Sequence, residues 1–414
     1  MATEFLSTDA LVDALSSTAF DRPPAIVCNA HITGLGVARA LAAHDVPVVA
    51  LDRTDEGVAP ASDAVAFAGR VTYPLDDRAG FREDVRAVAA ATGHEPVAFP
   101  CMDEWVHALS ATTPEGVRLP FADRERVSTV LDKFSLYDLA EDLGVPYPET
   151  YRLDRTDPAD AADALGFPLV VKPARKREME EALGTNVVEV ADREEYRTVL
   201  DAADAADVAV MAQEKVRVTP GADCSLASYV SPDGDRLGVV ANARVRHPQP
   251  FGTSCLVETT DRPEIRERGF DVLDAAGYHG VSEAEFVHDA DRDEYVLLDV
   301  NTRPWKWISL PVAAGANLPM AAYADVTGTS VERPERRDAR WLYLRDYLAQ
   351  RADSGGPPDA LGRAEWLALL SGRFETERVA GRALTTAVYR QSDPAPTLSL
   401  LDTEFGDDEY YCAC

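Results

Sequence analysis

The stretch from Glu283 to Arg303 constrains the fold more than any other part of the chain. It reads EAEFVHDADRDEYVLLDVNTR, two runs of strand-forming residues joined by a short acidic turn, which is the pattern of a β-hairpin. Because side chains alternate along a strand, Glu285 points to one face of the first strand, and Asp299 and Asn301 share one face of the second. Two carboxylates and an amide oxygen therefore converge, and such hard oxygens suit Mg²⁺ carrying phosphates.

Arg303 follows the hairpin on the same face, where its guanidinium is a donor for a phosphate or a carboxylate. The alternative for the whole segment is a solvated acidic hairpin in an acidic protein. Just beyond it, Trp305, Lys306 and Trp307 are candidates for shaping substrate specificity. The alternative for these three is packing against the C-terminal region.

Lysine is rare in this chain, which makes its positions informative. The 41 basic residues include five lysines: Lys133, Lys172, Lys176, Lys215 and Lys306. Lys172 ends the apolar run VVK, so a cation stands at the end of a buried strand and needs an anionic partner. An ATP phosphate would be such a partner, and a buried carboxylate is the alternative. Lys133 begins a helix, where simple exposure is the alternative.

The segment MAQEKV is an apolar strand that turns polar at its end. A strand end offers a backbone N–H and a C=O that can pair with an adenine ring. Gln213 and Glu214 border this position. By itself the pattern is unspecific.

The N-terminal part predicts a small doubly wound α/β domain. Residues 25–29 and the run VPVVALD read as strands flanking a helix, and Asp103, after a later strand, is positioned to cap the helix EWVHALS. Gly34 and Gly36 begin a dinucleotide-binding pattern, but Arg39 occupies its third glycine position. The dinucleotide fingerprint therefore fails, and this loop is expected to border a substrate cleft instead.

Beyond this domain the pattern changes twice. The runs FPLVVKPA, NVVEV and VAVMAQEKV read as strands of a compact α+β unit. The chain then becomes rich in strands, with a hairpin turn at Pro232-Asp233-Gly234. Residues 331–414 hold several aromatic side chains and an acidic end. The predicted fold class is therefore α/β followed by α+β.

The charge balance excludes some partners. Acidic residues outnumber basic ones 71 to 41, which gives a net charge of −30. Nucleic acids and anionic membranes need clustered cations, so neither is expected as a partner, and no run of about 18 apolar residues is present to span a membrane. Abundant aspartate with little lysine is typical of folded cytoplasmic proteins from salt-accumulating cells. A partly disordered acidic chain is the alternative.

We expect the chain to fold cooperatively in molar KCl and to lose structure or activity below roughly 0.2 M salt. The net charge of −30 is self-repulsive, and at 1 M salt the Debye length shortens to ~3 Å. Thermal unfolding at both salt concentrations measures the effect. The same melting temperature in both would contradict the halophilic interpretation.

The cysteines and the first residues indicate a reducing compartment. The chain has six cysteines: Cys28, Cys101, Cys224, Cys255, Cys412 and Cys414. The first four show no metal-binding spacing and are expected to be reduced thiols in a cytoplasm. The last two end an acidic tail that is interpreted as frayed and inert, with a soft-metal site as the alternative. The first nine residues carry no basic n-region, so no secretory signal is expected.

The order of these parts is more specific than any one of them. A Lys, a Lys-Pro on a strand, a Gln-Glu at a strand end, a Glu-Phe, and a carboxylate-x-Asn-x-Arg follow one another, and over residues 24–330 this resembles the ATP-grasp superfamily. Within it, the chain looks most like the predicted carboxylate–amine ligases related to D-aspartate ligase. That closer likeness is carried by GLGVARALAAHDVPVVALD, LDKFSLYDLAEDLGVPYPET, ARVRHPQPFGTSCLVE, EAEFVHDADRDEYVLLDVNTRPW and the C-terminal QSDPAP.

The resemblance implies four segments. Residues 1–125 would form the α/β domain that precedes the ATP-grasp, and 126–217 the small lid subdomain. Residues 218–330 would form the large subdomain with the metal site, and 331–414 a C-terminal helical extension with an acidic tail.

The resemblance also implies how the nucleotide is held. Lys133 and Lys172 would bind the α- and β-phosphates of ATP, and Asp223 would reach the ribose. The adenine pocket would be lined, partly through backbone, by Gln213, Glu214, Lys215 and Val216.

Further implied roles concern the metal and the reacting groups. Arg303 would steady the acyl phosphate, and Arg244 would contact the transferring phosphate and stabilise its charge. Magnesium, or Mn²⁺ as an alternative ion, would be bound by Glu285, Asp299 and Asn301.

Two features depart from the superfamily pattern. The glycine-rich loop after the second lysine is replaced by ARKREMEEALGTN, which holds one glycine, Gly184. Coverage of the phosphates would then depend on Arg175, Lys176 or Arg177. The usual Glu-x-Asn is Asp299-x-Asn301, one methylene shorter.

The predicted function is ATP-dependent ligation. A small-molecule carboxylate would attack the γ-phosphate to give an acyl phosphate and ADP, and an amine or similar nucleophile would then displace phosphate. The alternatives are a phosphotransferase using the same nucleotide site and a non-catalytic ATP-binding sensor. The residues leave open the identity of both substrates and the oligomeric state.

Overall fold

The computed structural model describes residues 3–173, 179, 184–185, 187–248, 252–332, 334–353 and 360–405, with residues 404 and 405 described by their backbone alone. Most of the expected phosphate-covering loop, with Arg175, Lys176 and Arg177, lies outside the described residues. So do Cys412 and Cys414. Within the described ranges, no helix has the length and apolar character that crossing a membrane requires.

The first sheet has five parallel strands in the order β1-β4-β3-β2-β5. Its strands are β1 (Phe5–Leu6), β2 (Ala25–Cys28), β3 (Val48–Asp52), β4 (Phe67–Arg70) and β5 (Val97–Pro100). The helices of this part are α1 (Thr8–Ser16), α2 (Ile32–Ala42), α3 (Arg78–Ala91) and α4 (Asp103–Thr112). Strands β2, β3 and β5 are buried throughout, as expected when helices cover both faces of a parallel sheet. The predicted doubly wound domain is confirmed.

A second, four-stranded sheet follows two linking helices, α5 (Arg124–Leu131) and α6 (Lys133–Leu143). Helix α6 ends at Gly144, whose φ of 65° suits glycine. The sheet order is β6-β9-β7-β8, and all its pairs are antiparallel. Its strands are β6 (Thr150–Arg152), β7 (Leu169–Pro173), β8 (Val188–Val190) and β9 (Val210–Glu214), and its helices are α7 (Pro158–Leu165) and α8 (Arg193–Ala205).

The third sheet has seven strands in the order β14-β13-β10-β11-β12-β15-β16. The first five of these are β10 (Asp223–Val230), β11 (Arg236–His247), β12 (Thr253–Thr259), β13 (Gly280–Asp289) and β14 (Glu294–Asn301). The helices of this part are α9 (Pro263–Ala275), α10 (Ser309–Ala313) and α11 (Leu318–Thr327). Both hairpins predicted from the sequence, β10–β11 and β13–β14, are present.

The C-terminal segment is not only helical, which differs from the expected helical extension. It adds β15 (Ala339–Leu342) and β16 (Ala383–Thr386) to the edge of the third sheet, as well as α12 (Leu344–Asp353), α13 (Arg363–Ser371) and α14 (Ala395–Phe405). Both strands are four residues long and lack a clear alternation of polar and apolar residues, so sequence periodicity does not reveal them. The segment boundaries near 125, 217 and 330 stay predictions.

Two shared cores join these parts. One core contains β2 and β3 residues together with Trp341, Leu342 and Tyr347 of the C-terminal segment. Another contains Leu131 and Phe134 of the linking helices together with β13 and β14 residues. The four-stranded sheet packs around a smaller core of its own. The hairpin β13–β14 therefore lies on a broad, buried support, while the four-stranded sheet is a separate layer beside it.

Candidate active site

The hairpin β13–β14 brings the predicted oxygen ligands together. Asp299 lies directly opposite Glu285 in the strand register, and Asn301 lies opposite Glu283. The Asn301 amide nitrogen donates hydrogen bonds to Glu285 Oε1 at 2.8 Å and to Glu283 Oε2 at 3.1 Å. The alternation of side chains predicted that Glu285, Asp299 and Asn301 share one face of the hairpin. The amide nitrogen of Asn301, rather than its oxygen, faces the glutamates, and the oxygen accepts from Arg303.

Two lysines from different elements approach this hairpin. Lys133 is the first residue of α6 and is buried, and its Nζ lies 2.7 Å from Asp299 Oδ1. Lys172, on β7 of the four-stranded sheet, is close enough to feel the charges of Lys133, Asp299 and Glu285. Lys172 of the four-stranded sheet therefore lies close to Asp299 and Glu285 of the seven-stranded sheet.

Burial is the main reason that the pKa of Lys172 falls from its usual 10.5 to about 8. The neighbouring Lys133 lowers this pKa further, while Asp299 and Glu285 oppose the shift. Among the described residues, none forms an ion pair with Lys172. An anionic ligand beside it would favour the charged form and raise the pKa again.

Glu283 is a buried carboxyl that the sequence analysis missed. It is 4% exposed, and its pKa is raised well above 4.5, first by burial and then by the charge of Glu285. Its position two residues before Glu285 on the same strand was the available signal. We call these six residues the carboxylate–lysine cluster: Lys133, Lys172, Glu283, Glu285, Asp299 and Asn301.

The cluster has the donor chemistry for a hard divalent cation. Glu283 and Glu285 repel one another, and a cation between such carboxylates would relieve that repulsion. In this structure, protein groups occupy these oxygens. The Asn301 amide donates hydrogen bonds to both glutamates, and Lys133 forms an ion pair with Asp299. Accordingly, no three His, Cys, Asp or Glu side chains in the described part of the chain are already arranged around a single metal position. Carboxylate and amide oxygens fit Mg²⁺ in type.

Arg303 borders the cluster and is held by the first domain. Its Nη2 donates to Asn301 Oδ1 at 3.3 Å, and its Nε donates to Asp103 Oδ1 at 2.5 Å. Burial disfavours the charged guanidinium, but the charge and hydrogen bond of Asp103 outweigh burial and raise the pKa of Arg303 above its usual value. The side chain is thus a permanently charged donor at the end of β14.

Asp103 is not at the N-cap position that the sequence predicts for it. Helix α4 begins at Asp103 itself, with Met102 at the N-cap position and no side-chain cap. The carboxylate is directed to Arg303, 200 positions along the chain. A sequence window around the helix start contains no information about so distant a partner.

Arg246, rather than Arg244, reaches the cluster. Arg246 lies 2.6 Å from Asp223 and 4.0 Å from Glu285, whereas Arg244 Nε lies 3.5 Å from Glu258. The register of β11 against β12 shifts after Ala243, so that Arg244 is an extra residue with no partner in the ladder. Such a bulge breaks the two-residue alternation, and the sequence does not reveal it. The predicted contact of Arg244 with phosphate has no support in this geometry.

Asp223 is occupied by the same arginine. Burial raises its pKa, and the charge and hydrogen bond of Arg246 oppose the rise. Asp223 is predicted to bind ribose, but in this structure it orients Arg246 beside Glu285.

Gln213 lies near the cluster but points inward. Its amide nitrogen donates to the Tyr137 hydroxyl at 3.1 Å and to Thr150 Oγ1 at 2.8 Å, and it is 1% exposed. Tyr137 in turn donates to the backbone oxygen of Leu298, next to Asp299. Through Tyr137, Gln213 therefore connects the end of β9 to β14 next to Asp299, and this connection helps to fix β14 in place.

The segment 214–216 follows the end of β9. Glu214 accepts from the backbone N–H of Glu149 at 2.8 Å and pairs with Arg292, while the Lys215 side chain pairs with Glu189 at 2.5 Å. Val216 is half-buried. Neither Lys215 N–H nor Val216 N–H donates a hydrogen bond to another described residue. These backbone groups remain available to a ligand.

Lys306 is held by the C-terminal segment. Its Nζ donates to Asp346 Oδ2 at 2.7 Å and to Thr253 Oγ1 at 2.8 Å, and it lies 4.3 Å from the centre of the Tyr343 ring. The flanking Trp305 and Trp307 are buried in the shared core. The packing alternative describes these three residues better than a direct role in specificity.

Comparisons with known proteins bear on the fold. No protein-family model matches the sequence. A curated relative, the C-terminal section of the carbamoyl phosphate synthase large chain of Methanopyrus kandleri, is 22% identical over 249 residues, which are 57% of this chain and 44% of that protein. The chain thus spans less than half the length of this relative.

Solved structures match much more of the chain. N5-carboxyaminoimidazole synthetase from Staphylococcus aureus, complexed with ADP, has a TM-score of 0.61 at 13% identity and covers 82% of this chain and 87% of its own. Biotin carboxylase from Campylobacter jejuni, complexed with β-γ-ATP, has a TM-score of 0.60 at 14% identity, with coverages of 77% and 73%. An ADP complex of N5-carboxyaminoimidazole ribonucleotide synthetase reaches 0.63 at 13% identity, with coverages of 88% and 92%.

These structures are ATP-grasp proteins, and their extent of overlap shows that this chain has the ATP-grasp fold. The prediction of fold class is confirmed. At such low identities the likeness concerns the fold, so the chemistry must be argued from the residues of this chain.

Proposed function

We propose that this protein is an ADP-forming ATP-grasp ligase that activates a small-molecule carboxylate as an acyl phosphate and joins it to an amine or similar nucleophile. The observation that carries the proposal is the carboxylate–lysine cluster itself. Two lysines from different elements face a paired Glu285 and Asp299 across a fold that nucleotide-complexed proteins share. Cations for phosphate and oxygens for a metal meet in one place.

Each residue of the cluster has a distinct task in this proposal. Lys133 and Lys172 bind the α- and β-phosphates, and that contact favours the charged form of Lys172. Glu285, Asp299 and Asn301 hold Mg²⁺, with Mn²⁺ tolerated because it prefers the same oxygen ligands. A metal ion held by these residues would supply positive charge to neutralise the charge that develops during transfer.

Arginines next to the cluster handle the reacting groups. Arg303 is buried, charged and fixed by Asp103, so it offers donors to the acyl phosphate without reorganising. Arg246 lies beside Glu285, and we assign to it the contact with the transferring phosphate that the sequence had suggested for Arg244. The protein thus supplies positioning and charge rather than a covalent intermediate.

The backbone N–H groups of Lys215 and Val216, which donate to no other described residue, support adenine binding at the end of β9. An adenine edge requires a donor and an acceptor, and backbone groups at a strand end offer both. The closer likeness to ligases related to D-aspartate ligase favours an amide product. The acidic composition favours work in a salt-rich cytoplasm.

A panel of carboxylates combined with amines tests the function. We expect Mg²⁺-dependent release of ADP from ATP for a matching pair, with phosphate and an amide as the other products. The Lys172→Ala variant, purified in the same way, measures background ATPase. Assays belong in molar KCl, because a net charge of −30 is screened there.

Other outcomes of the panel would replace this proposal. A stable phosphorylated product formed without a second substrate would identify a phosphotransferase. Tight binding of ATP with no turnover for any carboxylate would identify a nucleotide sensor.

We expect ATP binding to take up protons above pH 8. The pKa of Lys172 is about 8 in the free protein, so at pH 9 its amine is mostly neutral, and phosphate contact favours the ammonium form. Linkage then requires an uptake of about one proton per ATP at pH 9 and little at pH 7, with affinity falling as pH rises through 8. Calorimetry in two buffers with different ionisation enthalpies measures the uptake, and Lys172→Ala is the control. Equal uptake by both proteins would contradict the assignment.

A further inference from the structure

A buried ion pair joins the first domain to the end of β14. Arg303 and Asp103 are 5% and 15% exposed at their side chains, and Arg303 Nε lies 2.5 Å from Asp103 Oδ1. Asp103 begins α4, directly after the carboxyl end of β5. The first sheet therefore reaches the candidate active site through this carboxylate.

The remaining donors of Arg303 make its orientation specific. Its Nη1 donates to the backbone oxygen of Pro304 at 3.0 Å, and its Nη2 donates to Asn301 Oδ1 at 3.3 Å. A guanidinium is planar, with its donors in a fixed fork, so bonds in three directions define its plane. The Asn301 amide nitrogen in turn donates hydrogen bonds to Glu283 and Glu285, so the orientation of Arg303 is coupled to these carboxylates.

Asp103 is itself well fixed. As the first residue of α4 it is close to the positive end of the helix dipole, which favours a carboxylate there. Both the helix and the arginine stabilise its charged form.

We propose that Asp103 is a positioning residue, which holds the Arg303 guanidinium in the orientation that meets the transferring phosphoryl group. This inference rests on the proposed function. We assign Asp103 no direct contact with the nucleotide, only its contact with Arg303. Its effect is expected where charge develops during transfer, because preorganised donors act mainly on the transition state.

Binding of orthovanadate to the complex with Mg·ADP tests this without knowledge of the carboxylate. Vanadate bound next to ADP mimics the transferring phosphoryl group. For Asp103→Asn we expect vanadate affinity to fall on the order of tenfold or more, a fraction of what direct loss of a transition-state donor costs. The affinity for Mg·ADP alone should change less than about twofold, since Arg303 is not assigned to the α- or β-phosphate.

Tyr323→Phe is the matched control. Its hydroxyl donates to the backbone oxygen of Pro23 at 2.6 Å, so this variant also removes one hydrogen bond between the first domain and the rest of the chain, at a residue outside the cluster. We expect it to leave both affinities unchanged. Asp103→Glu keeps the charge with one extra methylene and is expected to lose less vanadate affinity than Asp103→Asn does.

Three results would overturn the inference: wild-type vanadate affinity in Asp103→Asn, an equal loss for Mg·ADP and for vanadate, or an equal loss in Tyr323→Phe. If Asp103→Asn does not fold, judged by circular dichroism, Asp103→Glu decides, and wild-type behaviour there is the contrary result. Failure of the wild-type protein to bind Mg·ADP at all would instead reject the proposed function.

Discussion

We expect Asp299→Asn to abolish ATP turnover while the fold persists. Asp299 faces Glu285 across the hairpin and binds Lys133 at 2.7 Å. The amide keeps the shape but removes the charge that would hold Mg²⁺ and orient Lys133. Losing a metal contact of this kind removes several kcal/mol of transition-state stabilisation, roughly a thousandfold or more in rate. ADP release and thermal unfolding, measured on the same preparation, separate activity from folding.

Asp299→Glu is the control for this substitution. The superfamily pattern suggests glutamate at this position, so the longer carboxylate is expected to retain activity. The shorter native side chain ends about 1.5 Å, one C–C bond, further from a ligand, and a water would complete the metal shell in the wild-type protein. A normal rate in Asp299→Asn would mean that the metal site lies elsewhere.

Lys172→Ala is expected to weaken ATP binding by ~10- to 150-fold. That range corresponds to the 1.5–3 kcal/mol that a charge-assisted hydrogen bond to phosphate contributes. Lys172 belongs to the cluster and has no ion-pair partner among the described residues, so the phosphate is its expected partner. Titration calorimetry with ATP and Mg²⁺ measures the change.

Lys306→Ala is the matched comparison. Both lysines are desolvated, and burial is the first cause that lowers the pKa of each. Lys306, however, is already bonded to Asp346 and Thr253, so its loss should reduce the melting temperature and leave ATP affinity nearly intact. Small and equal effects on ATP affinity in the two variants would remove the distinction between them.

The sequence predicts the β13–β14 hairpin well because the information for it is local. Strand alternation alone brings Asp299 and Glu285 together, and the structure has them in register. Glu283 follows the same alternation, because it lies two residues before Glu285 and opposite Asn301. In a chain with many acidic residues, this spacing alone does not distinguish it from a surface carboxylate. Continuous apolar runs also predict three of the five strands of the first sheet, β2, β3 and β5.

The features that sequence reasoning missed depend on contacts that are distant or irregular. The partner of Asp103 is 200 positions away, and the nearest pattern, a helix start, suggested capping instead. Arg244 and Arg246 are two apart, and a regular strand would make them equivalent, but the bulge in β11 separates them. Strand β15 pairs with β12, which lies about 80 residues earlier in the chain, so no local pattern indicates this pairing. Strands β15 and β16 have only four residues each, too few to show the alternation of polar and apolar residues typical of a strand.

The most direct test of the central claim follows one oxygen atom. A carboxylate that supports ADP release is labelled with ¹⁸O and incubated with the protein, ATP, Mg²⁺ and its nucleophile. If the carboxylate is activated as an acyl phosphate, displacement of phosphate leaves one carboxylate oxygen on the phosphate. The account therefore predicts one ¹⁸O in each phosphate released with product, detected by mass spectrometry. Unlabelled phosphate accompanying a labelled product would contradict it.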